Sequence, residues 1–325
     1  MNKKINILIT SAGRRSMLIE YFRKEFNNLG KVITTDCSEL APAIYFSDKN
    51  YIVPKITNPE YVNNLLSICK KEKITGILSL IDPELSLLAK HTSDFNKLGV
   101  IPIVSSYKEC ELWLDKFKTY KFLKKNNFKC AKTYNIFADF ENALKKKEFE
   151  FPVFIKPQNG SASLNINKVK NIEEAKIVFD SAEKMIIQEY LKGQELGVDV
   201  YIDLISREIV SIFIKEKISM RAGETDKARS IKNQKLFDTV AKLISKTQLV
   251  GPIDIDIFRI DEEYYISEIN PRFGGGYPLA YECGCIFQKF IINNLKGLKN
   301  KIKIGKYKEN IYMMKNDRIL IKEIV

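Results

Sequence analysis

The stretch Glu268-Ile-Asn-Pro-Arg272-Phe-Gly-Gly-Gly276 carries the strongest signal in this chain. It follows residues 264–267, whose aromatic and β-branched side chains predict a strand. Because alternate residues of a strand point to one face, Glu268 and Asn270 present their oxygen atoms side by side. Hard oxygen ligands of this kind suit Mg²⁺ that also holds nucleotide phosphates. A proline then ends the strand, and Arg272 adds a planar fork of donors for a phosphate or carboxylate.

A second alternating strand is predicted at Gly251-Pro-Ile-Asp-Ile-Asp-Ile257. Its period of two places Asp254 and Asp256 on the same face. Carboxylates buried on two neighbouring strands need a counter-charge, which favours a cation between them. The alternative is a solvated sheet face with ordinary surface charge, and for Asp254 alone the two interpretations are about equally good.

Composition describes the class of protein. The 325 residues are 45% hydrophobic and 29% charged, typical of a soluble globular protein of two or three domains. No run of eighteen apolar residues occurs, which excludes a transmembrane helix, and the strand-like start at residues 5–9 is too short for a signal-peptide core. We therefore expect a cytoplasmic protein without a membrane partner.

Charge and cysteine usage narrow the class further. The net charge of +13 comes from lysines spread along the chain, which is typical of a solvated surface and does not predict a nucleic-acid partner. It would still concentrate an anionic ligand. The six cysteines have no CxxC spacing and the chain has a single histidine, so neither a zinc site nor a disulfide framework is expected.

Residues 1–108 alternate strand-like and helix-like stretches, which predicts a doubly wound parallel sheet. The predicted strands are 5–10, 32–35, 76–80 and 100–104, and the predicted helices are 17–26, 61–69 and 84–89. Ligands of such sheets bind at the carboxyl ends of the strands, where Ser11-Ala-Gly-Arg-Arg15 and Asp36 lie. The first loop has one glycine, not the three of a dinucleotide fingerprint, so NAD is not expected. Asp82 either contacts a substrate or caps the helix beginning at Pro83.

Together these motifs resemble the ATP-grasp superfamily, in particular the carbamoyl-phosphate-synthase-like ligases that include the pyrrolysine-biosynthesis ligase group. The match is closest in Asp254-Ile-Asp-Ile-Phe258 and in Glu268 to Pro278. The resemblance implies an α/β protein with a doubly wound pre-ATP-grasp domain at 1–108 and a two-lobed ATP-grasp α+β domain at 109–295. A small lid subdomain is expected at about 115–188, and a strand-like tail at 296–325. In this family the metal ligands would be Asp256, Glu268 and Asn270.

The resemblance also implies phosphate-binding residues. An amphipathic helix is predicted over 112–123, and its Lys116 would approach the phosphates, although taken alone it is a surface lysine. The apolar strand at 151–157 carries Lys156, expected on the α- and β-phosphates. The small polar loop that follows would close over the triphosphate through Gly160, Ser161 and Ser163, and the alternative is a plain hairpin loop.

The hinge between the two lobes is expected at 185–196. By resemblance, Glu189, Tyr190 and Leu191 would hold adenine and Glu195 the ribose hydroxyls. A strand at 210–217 is expected to lead through a polar loop at 220–226 to a helix at 234–245. Arg221 in that loop would meet the acylphosphate or the substrate carboxylate, or would lie in an ordinary surface loop.

The activity implied by the resemblance is ligation. ATP would phosphorylate a small-molecule carboxylate to an acylphosphate, and an amine or thiol would displace phosphate, releasing ADP. Lys156, Arg221 and Arg272 would be the catalytic residues, with ATP and Mg²⁺ as cofactors and Mn²⁺ as a substitute. Alternatives are an ATP-grasp enzyme that phosphorylates carbamate or another carboxyl group, and a non-catalytic nucleotide-binding protein. A homodimer is a further expectation.

Overall fold

The computed structural model describes residues 4–160, 166–221 and 223–323. Its first unit is a parallel sheet in the order β3-β2-β1-β4-β5. The strands are β1 Asn6–Thr10, β2 Val32–Asp36, β3 Lys49–Ile52, β4 Ile74–Ser79 and β5 Ile101–Pro102. The doubly wound arrangement is therefore as predicted, but β3 was missed and the strand expected at 100–104 shrinks to two residues. β3 was missed because its exposed, polar sequence lacks the apolar run of a buried strand.

Helices cover both faces of this sheet. They are α1 Ser16–Phe26, α2 Tyr61–Lys71, α3 Asp82–Lys90 and α4 Thr92–Lys97, with a 3₁₀ helix at Pro42–Phe46. The sheet order reverses between β1 and β4, so the crevice for a ligand lies at their carboxyl ends. There the buried Glu84 accepts hydrogen bonds at 2.6 Å from Ser11, Tyr61 and Ser79. Three hydroxyl donors satisfy this carboxylate, which ties the first loop to α3.

The second unit is a small antiparallel sheet in the order β6-β9-β7-β8. It contains β6 Thr133–Tyr134, β7 Val153–Pro157, β8 Asn167–Val169 and β9 Met185–Glu189, and it packs against α7 Phe137–Lys145 and α8 Ile172–Asp180. Its core is separate from the rest and centres on the fully buried Phe140, whose ring meets Phe149 and Phe151 edge-on. A separate core allows this unit to move as a body.

The prediction of a single helix over 112–123 is wrong. Two helices occur, α5 Tyr107–Leu114 and α6 Lys116–Lys125, with Asp115 between them in an extended conformation. The Asp115 carboxylate accepts the backbone N–H groups of Phe117 and Lys118, so it caps α6. The apolar spacing of residues 112–123 runs past Asp115 without a break. Counting apolar positions therefore does not reveal that the chain ends one helix there and begins another.

The third unit is a larger antiparallel sheet in the order β14-β13-β10-β11-β12-β15. Its strands are β10 Gln194–Ile202, β11 Ile209–Arg221, β12 Glu224–Ile231, β13 Gly251–Ile260, β14 Glu263–Asn270 and β15 Tyr312–Met314, and its helices are α9 Gln234–Ile244, α10 Tyr277–Glu282 and α11 Phe287–Leu295. The polar loop expected at 220–226 is instead the tip of a β11–β12 hairpin. The strand-like tail contributes the edge strand β15, which pairs with β12.

The first and third units share one hydrophobic core. Tyr21 of α1 stacks on Tyr281 of α10 with ring centroids 3.7 Å apart, and Phe22 meets Phe273 edge-on. The first unit is thereby held against the end of β14. In the described part of the chain, none of the helices is long and apolar enough to cross a membrane.

We predict that Phe140→Ala lowers the free energy of unfolding by about 3–5 kcal/mol, because it leaves a cavity in the hydrophobic core of the second unit. Urea titration followed by circular dichroism measures this. Ile177→Ala is the control, because Ile177 on α8 is exposed and should cost less than about 0.5 kcal/mol. Equal losses in both variants would contradict the separate core.

Candidate active site

A cleft of about 510 Å³ opens where the three sheets meet. Its walls carry an unusual density of charge. The charged residues are Arg14, Arg15, Asp82, Lys156, Glu189, Glu195, Lys217, Glu224, Asp254, Asp256, Glu268 and Arg272. Charges of both signs in one concave site indicate a polar ligand, not a hydrophobic one.

The pairing of β13 with β14 brings the oxygen ligands together. Asp254 lies opposite Asn270, and Asp256 lies opposite Glu268. Both pairs are on the face that lines the cleft. Burial, together with the neighbouring Asp256 carboxylate, raises the pKa of Asp254 above its usual range. The two neighbouring strands thus carry one contiguous acidic surface.

Two lysines on β11 offset this acidic surface. Lys215 forms an ion pair with Asp199 in which both side chains are almost wholly buried. Lys217 donates to Asp256 at 2.6 Å and to Glu195 at 2.7 Å. Burial lowers the pKa of Lys217, but the carboxylates of Asp256 and Glu195 outweigh it and the net pKa is raised. Sequence reasoning missed both lysines, although their i, i+2 spacing on an apolar strand was a readable signal.

A glycine makes the lysine arrangement possible. Gly197 on β10 separates β11 from β13 at this level, pairing with Lys215 on one side and Asp256 on the other. A Cβ there would lie 2.7 Å from Lys215 Cε. The lysine stems therefore cross the strand where it has no side chain. Gly274 is similar, since its Cβ would lie 2.3 Å from Asp254 Oδ1.

Lys156 at the end of β7 faces this acidic surface across the cleft. Within the described residues it forms no ion pair at 4.0 Å or less, although Glu268 lies close enough to act on its charge. Burial lowers the pKa of Lys156 to about 8. Burial likewise raises the pKa of Glu268, an effect that Lys156 and Lys116 oppose. An ammonium without a protein partner is suited to an anionic ligand.

The other predicted phosphate-binding residues are only partly brought to the cleft. Lys116 begins α6 and donates to the carbonyl of Gly160 at 2.6 Å, so it holds the loop after β7 but does not line the cleft. Ser161 and Ser163 lie outside the described residues.

The hinge between β9 and β10 forms the apolar end of the cleft. Glu189, Leu191 and Glu195 line it together with the rings of Phe154 and Phe258. Tyr190 instead packs against Phe154, with Lys168 over its ring at 3.7 Å. A flat apolar slot beside a carboxylate fits a purine and its ribose.

Arg272 connects the acidic surface to the first unit. Its Nε donates to Asp82 Oδ2 at 2.9 Å, and its Nη1 lies 3.8 Å from Asp254. Asp82 is therefore not the cap of α3, as one reading of the sequence had it: the helix begins at Asp82 itself and has no side-chain cap. The other Asp82 carboxylate oxygen is buried without a partner in the described structure. Asp36 instead accepts the backbone N–H groups of Gly13 and Ser38.

The structure places Arg221 away from the cleft. It ends β11 at the hairpin tip, half exposed, and pairs with Asp226 and Asp317. The sequence left open whether Arg221 meets the acylphosphate or substrate carboxylate or lies in an ordinary surface loop, and the exposed position agrees with the second alternative. The β11–β12 hairpin itself was not predicted. The arginines that line the cleft are Arg14, Arg15 and Arg272.

The donor set fits a hard divalent cation. Asp256, Glu268 and Asn270 offer two carboxylates and one amide oxygen, and Mg²⁺ commonly takes one or two carboxylates plus waters and phosphate oxygens. Over the described ranges, no group of three His, Cys, Asp or Glu side chains could hold a metal ion alone. The set therefore suits a metal that arrives with a phosphate ligand and does not suit a structural zinc.

Known proteins share this architecture. The family model of the ATP-grasp domain matches residues 113–276, half of the chain. The family model of the PylC-like N-terminal domain matches residues 7–103. The chain belongs to the ATP-grasp family. This confirms both the resemblance and the predicted fold class.

Curated relatives are distant. A carbamoyl-phosphate synthase of Methanobrevibacter smithii is 26% identical over 56% of this chain and 48% of its own. A phosphoribosylamine–glycine ligase of Methanocella arvoryzae is 24% identical over 61% of this chain and 46% of its own. The matched region thus spans about half of these relatives.

Solved structures share the fold at lower identity. N5-carboxyaminoimidazole synthetase from Staphylococcus aureus, complexed with ADP, superposes with a TM-score of 0.73 at 18% identity. The match covers 93% of this chain and 81% of that one. At this identity the likeness concerns the fold alone.

We predict that Lys215→Met costs about 3–5 kcal/mol of unfolding free energy, because it leaves the buried Asp199 carboxylate unpaired. The double variant Lys215→Met, Asp199→Leu should recover most of the loss. Lys97→Met, which removes an exposed ion pair, should cost less than about 1 kcal/mol. Denaturant titration of the four chains measures this, and a double variant as unstable as the single one would contradict the pairing.

A second prediction concerns the protonation of Lys156. Because its pKa is about 8 before an anion binds, MgADP binding should weaken as the pH rises from 7 to 9, by up to about tenfold per unit above 8. Lys156→Arg keeps the charge at every pH and should flatten this dependence. Calorimetric titration across the pH range measures it, and an unchanged slope in Lys156→Arg would show that another group titrates.

Proposed function

We propose that this chain is an ATP-dependent ligase that joins a small-molecule carboxylate to an amine, or to a thiol, through an acylphosphate. The observation that carries the proposal is the register that sets Asp256 against Glu268 and Asp254 against Asn270, across the cleft from Lys156. An acidic surface that faces an ammonium with no ion pair among the described residues suits a metal–phosphate complex, in which the metal meets the carboxylates and the phosphate meets the lysine.

The nucleotide lies along the cleft in this proposal. Adenine occupies the apolar slot beside Leu191, Phe154 and Phe258, with Glu189 and Tyr190 at the hinge. Glu195 takes the ribose hydroxyls, while its Oε1 accepts from Lys217. Lys156 binds phosphate oxygens, and Lys116 holds the carbonyl of Gly160 at the start of the loop that follows β7.

The metal is Mg²⁺, with Mn²⁺ as a substitute. Asp256, Glu268 and Asn270 would hold it, and when bound it neutralises charge on the transferring phosphoryl group. Lys217 holds Asp256 through Oδ1 at 2.6 Å, so Oδ2 of the same carboxylate would be the oxygen offered to the metal.

The reaction proceeds in two displacements. A carboxylate oxygen attacks the γ-phosphorus, the bond to the β-phosphate oxygen breaks, and ADP leaves. The amine nitrogen then attacks the acyl carbon, the carbon–oxygen bond to phosphate breaks, and the ammonium proton passes to solvent. Arg272 and Lys156 stabilise the developing charge without covalent chemistry of their own, and closure of the second unit excludes water.

Carboxyl phosphorylation with bicarbonate is the second candidate, because a matched solved structure is named a carboxyaminoimidazole synthetase. The two candidates differ only in which oxyanion is phosphorylated. ADP release from MgATP, measured across bicarbonate, small carboxylates and amines singly and in pairs, separates them when mass spectrometry identifies the product. A condensed product supports the ligase, and ADP release that requires bicarbonate supports the alternative.

We predict that Glu268→Ala lowers ATP turnover by more than about 100-fold, since it removes a carboxylate from the metal-binding surface. The folded structure should persist because Glu268 forms no ion pair with the residues described. Glu263→Ala on the same strand is the control, since Glu263 is about half exposed and its ion pairs among the described residues are with the surface lysines Lys129 and Lys235. An active, folded Glu268→Ala would remove the basis of the metal assignment.

A further inference from the structure

Arg15 is a cation of the cleft wall with weak partners. It lies between β1 and α1, and its side chain is 20% exposed. In the described structure its contacts are Nε to Glu224 Oε1 and Nη1 to the carbonyl oxygen of Phe273, both at 3.5 Å. A guanidinium has five N–H donors, and partly buried donors seek closer acceptors than these. Arg15 is therefore under-satisfied by the protein itself.

Arg272 reaches the same point from the other side. Its Nη1 donates to the same carbonyl oxygen of Phe273 at 3.0 Å. The guanidinium groups of Arg15 and Arg272 thus converge on one acceptor, although like charges repel each other. Burial and the nearby Arg272 lower the pKa of Arg15. Two cations held together at a cleft wall indicate that an anion belongs between them.

The surroundings add positive charge. Glu224 lies 3.5 Å from both Arg14 and Arg15 and accepts from Lys315 at 2.8 Å, so this carboxylate is shared among several cations. Helix α1 begins just after Arg15, with no acidic residue in its first turn and no side-chain cap. Its N-terminal partial charge is therefore also uncompensated. Asp82 and Asp254 pair with Arg272 at 2.9 and 3.8 Å; within the described residues neither forms an ion pair with Arg15, although both act on its charge from farther away.

We propose that Arg15 and Arg272 form a clamp for the planar oxyanion that is phosphorylated, and for the acylphosphate made from it. The ligand is a carboxylate-type group, which either an organic acid or bicarbonate supplies. Planar oxyanions match guanidinium forks in geometry as well as charge. The clamp rests on the proposed function and assigns to the first unit, through Arg15, a direct contact with the reacting group.

The position of the clamp supports this role over nucleotide binding. Arg272 is two residues beyond Asn270, so one side of the clamp borders the metal-binding surface and the γ-phosphate proposed there. Arg15 is on the opposite side, in the crevice of the first unit. An oxyanion between them lies where it can attack phosphorus, whereas ADP is held by residues on the second and third units. Arg15 should therefore affect oxyanion affinity and leave ADP affinity unchanged.

The test is the stabilisation of the full chain by acetate, bicarbonate or inorganic phosphate in saturating MgADP. Thermal unfolding is measured for the wild type, Arg15→Gln, Arg15→Lys and Arg23→Gln. Arg23 is a matched control, since it lies on α1, is half exposed and pairs with Asp48 outside the cleft. MgADP affinity of each chain is measured separately by calorimetry.

The wild type and Arg23→Gln should be stabilised by at least one of the three anions. In Arg15→Gln the apparent anion affinity should fall at least about tenfold, with an intermediate loss in Arg15→Lys and MgADP affinity within about twofold. A response to bicarbonate alone assigns the clamp to bicarbonate, and a response to acetate assigns it to an organic acid. A response to phosphate alone places the anion at the γ-phosphate position and counts against the clamp.

Two results would overturn the clamp alone: MgADP binding with no anion response in the wild type, or an anion response in Arg15→Gln equal to that of the wild type. If the wild type does not bind MgADP, the proposed function is rejected, and the clamp with it. Unfolding without ligands shows whether Arg15→Gln is folded, and Arg15→Lys keeps the comparison usable if it is not.

Discussion

Charge compensation on one face of the large sheet is the constraint on which the site depends. The β13–β14 register concentrates carboxylates, and burying them is costly unless cations lie within reach. Lys215 and Lys217 supply those cations from β11, across a strand that has glycine at the crossing point. The carboxylates of Asp199, Asp256 and Glu195 therefore have lysine partners on this face of the sheet.

The same constraint explains why three units are needed. The third unit carries the acidic surface, the second brings Lys156 opposite to it, and the first brings Asp82 to Arg272. The first and third units share a core through Tyr21, Tyr281 and Phe273, so their relative position is fixed by packing. The second unit has its own core, and a short hinge joins it to the sheet. The first and third units thus form a rigid base, and the second unit can move relative to it. Closure of one unit over a bound ligand requires such an arrangement.

Prediction succeeded where chemistry is local in the chain. Strands with a period of two placed Asp254, Asp256, Glu268 and Asn270 on shared faces, and the structure brings these faces into register. Prediction failed where a single residue overrode a pattern or where pairing was distant. Asp115 breaks an apolar periodicity by capping α6, and the β11–β12 hairpin turned an expected loop into strands. Arg221 lies at the surface, which is one of the two positions that the sequence left open.

The sequence by itself determined the order of the units, the family to which the chain belongs and the strands that carry the carboxylates and the amide of the cleft, because these follow from side-chain periodicity and short motifs. Tertiary structure alone decided which charges meet. Lys217 reaches Asp256, 39 positions along the chain, and Arg15 and Arg272 share a carbonyl oxygen across more than 250 positions. Coulomb energy depends on distance and burial, neither of which a linear pattern encodes. The partners of each cleft charge therefore became visible only once the three sheets were assembled.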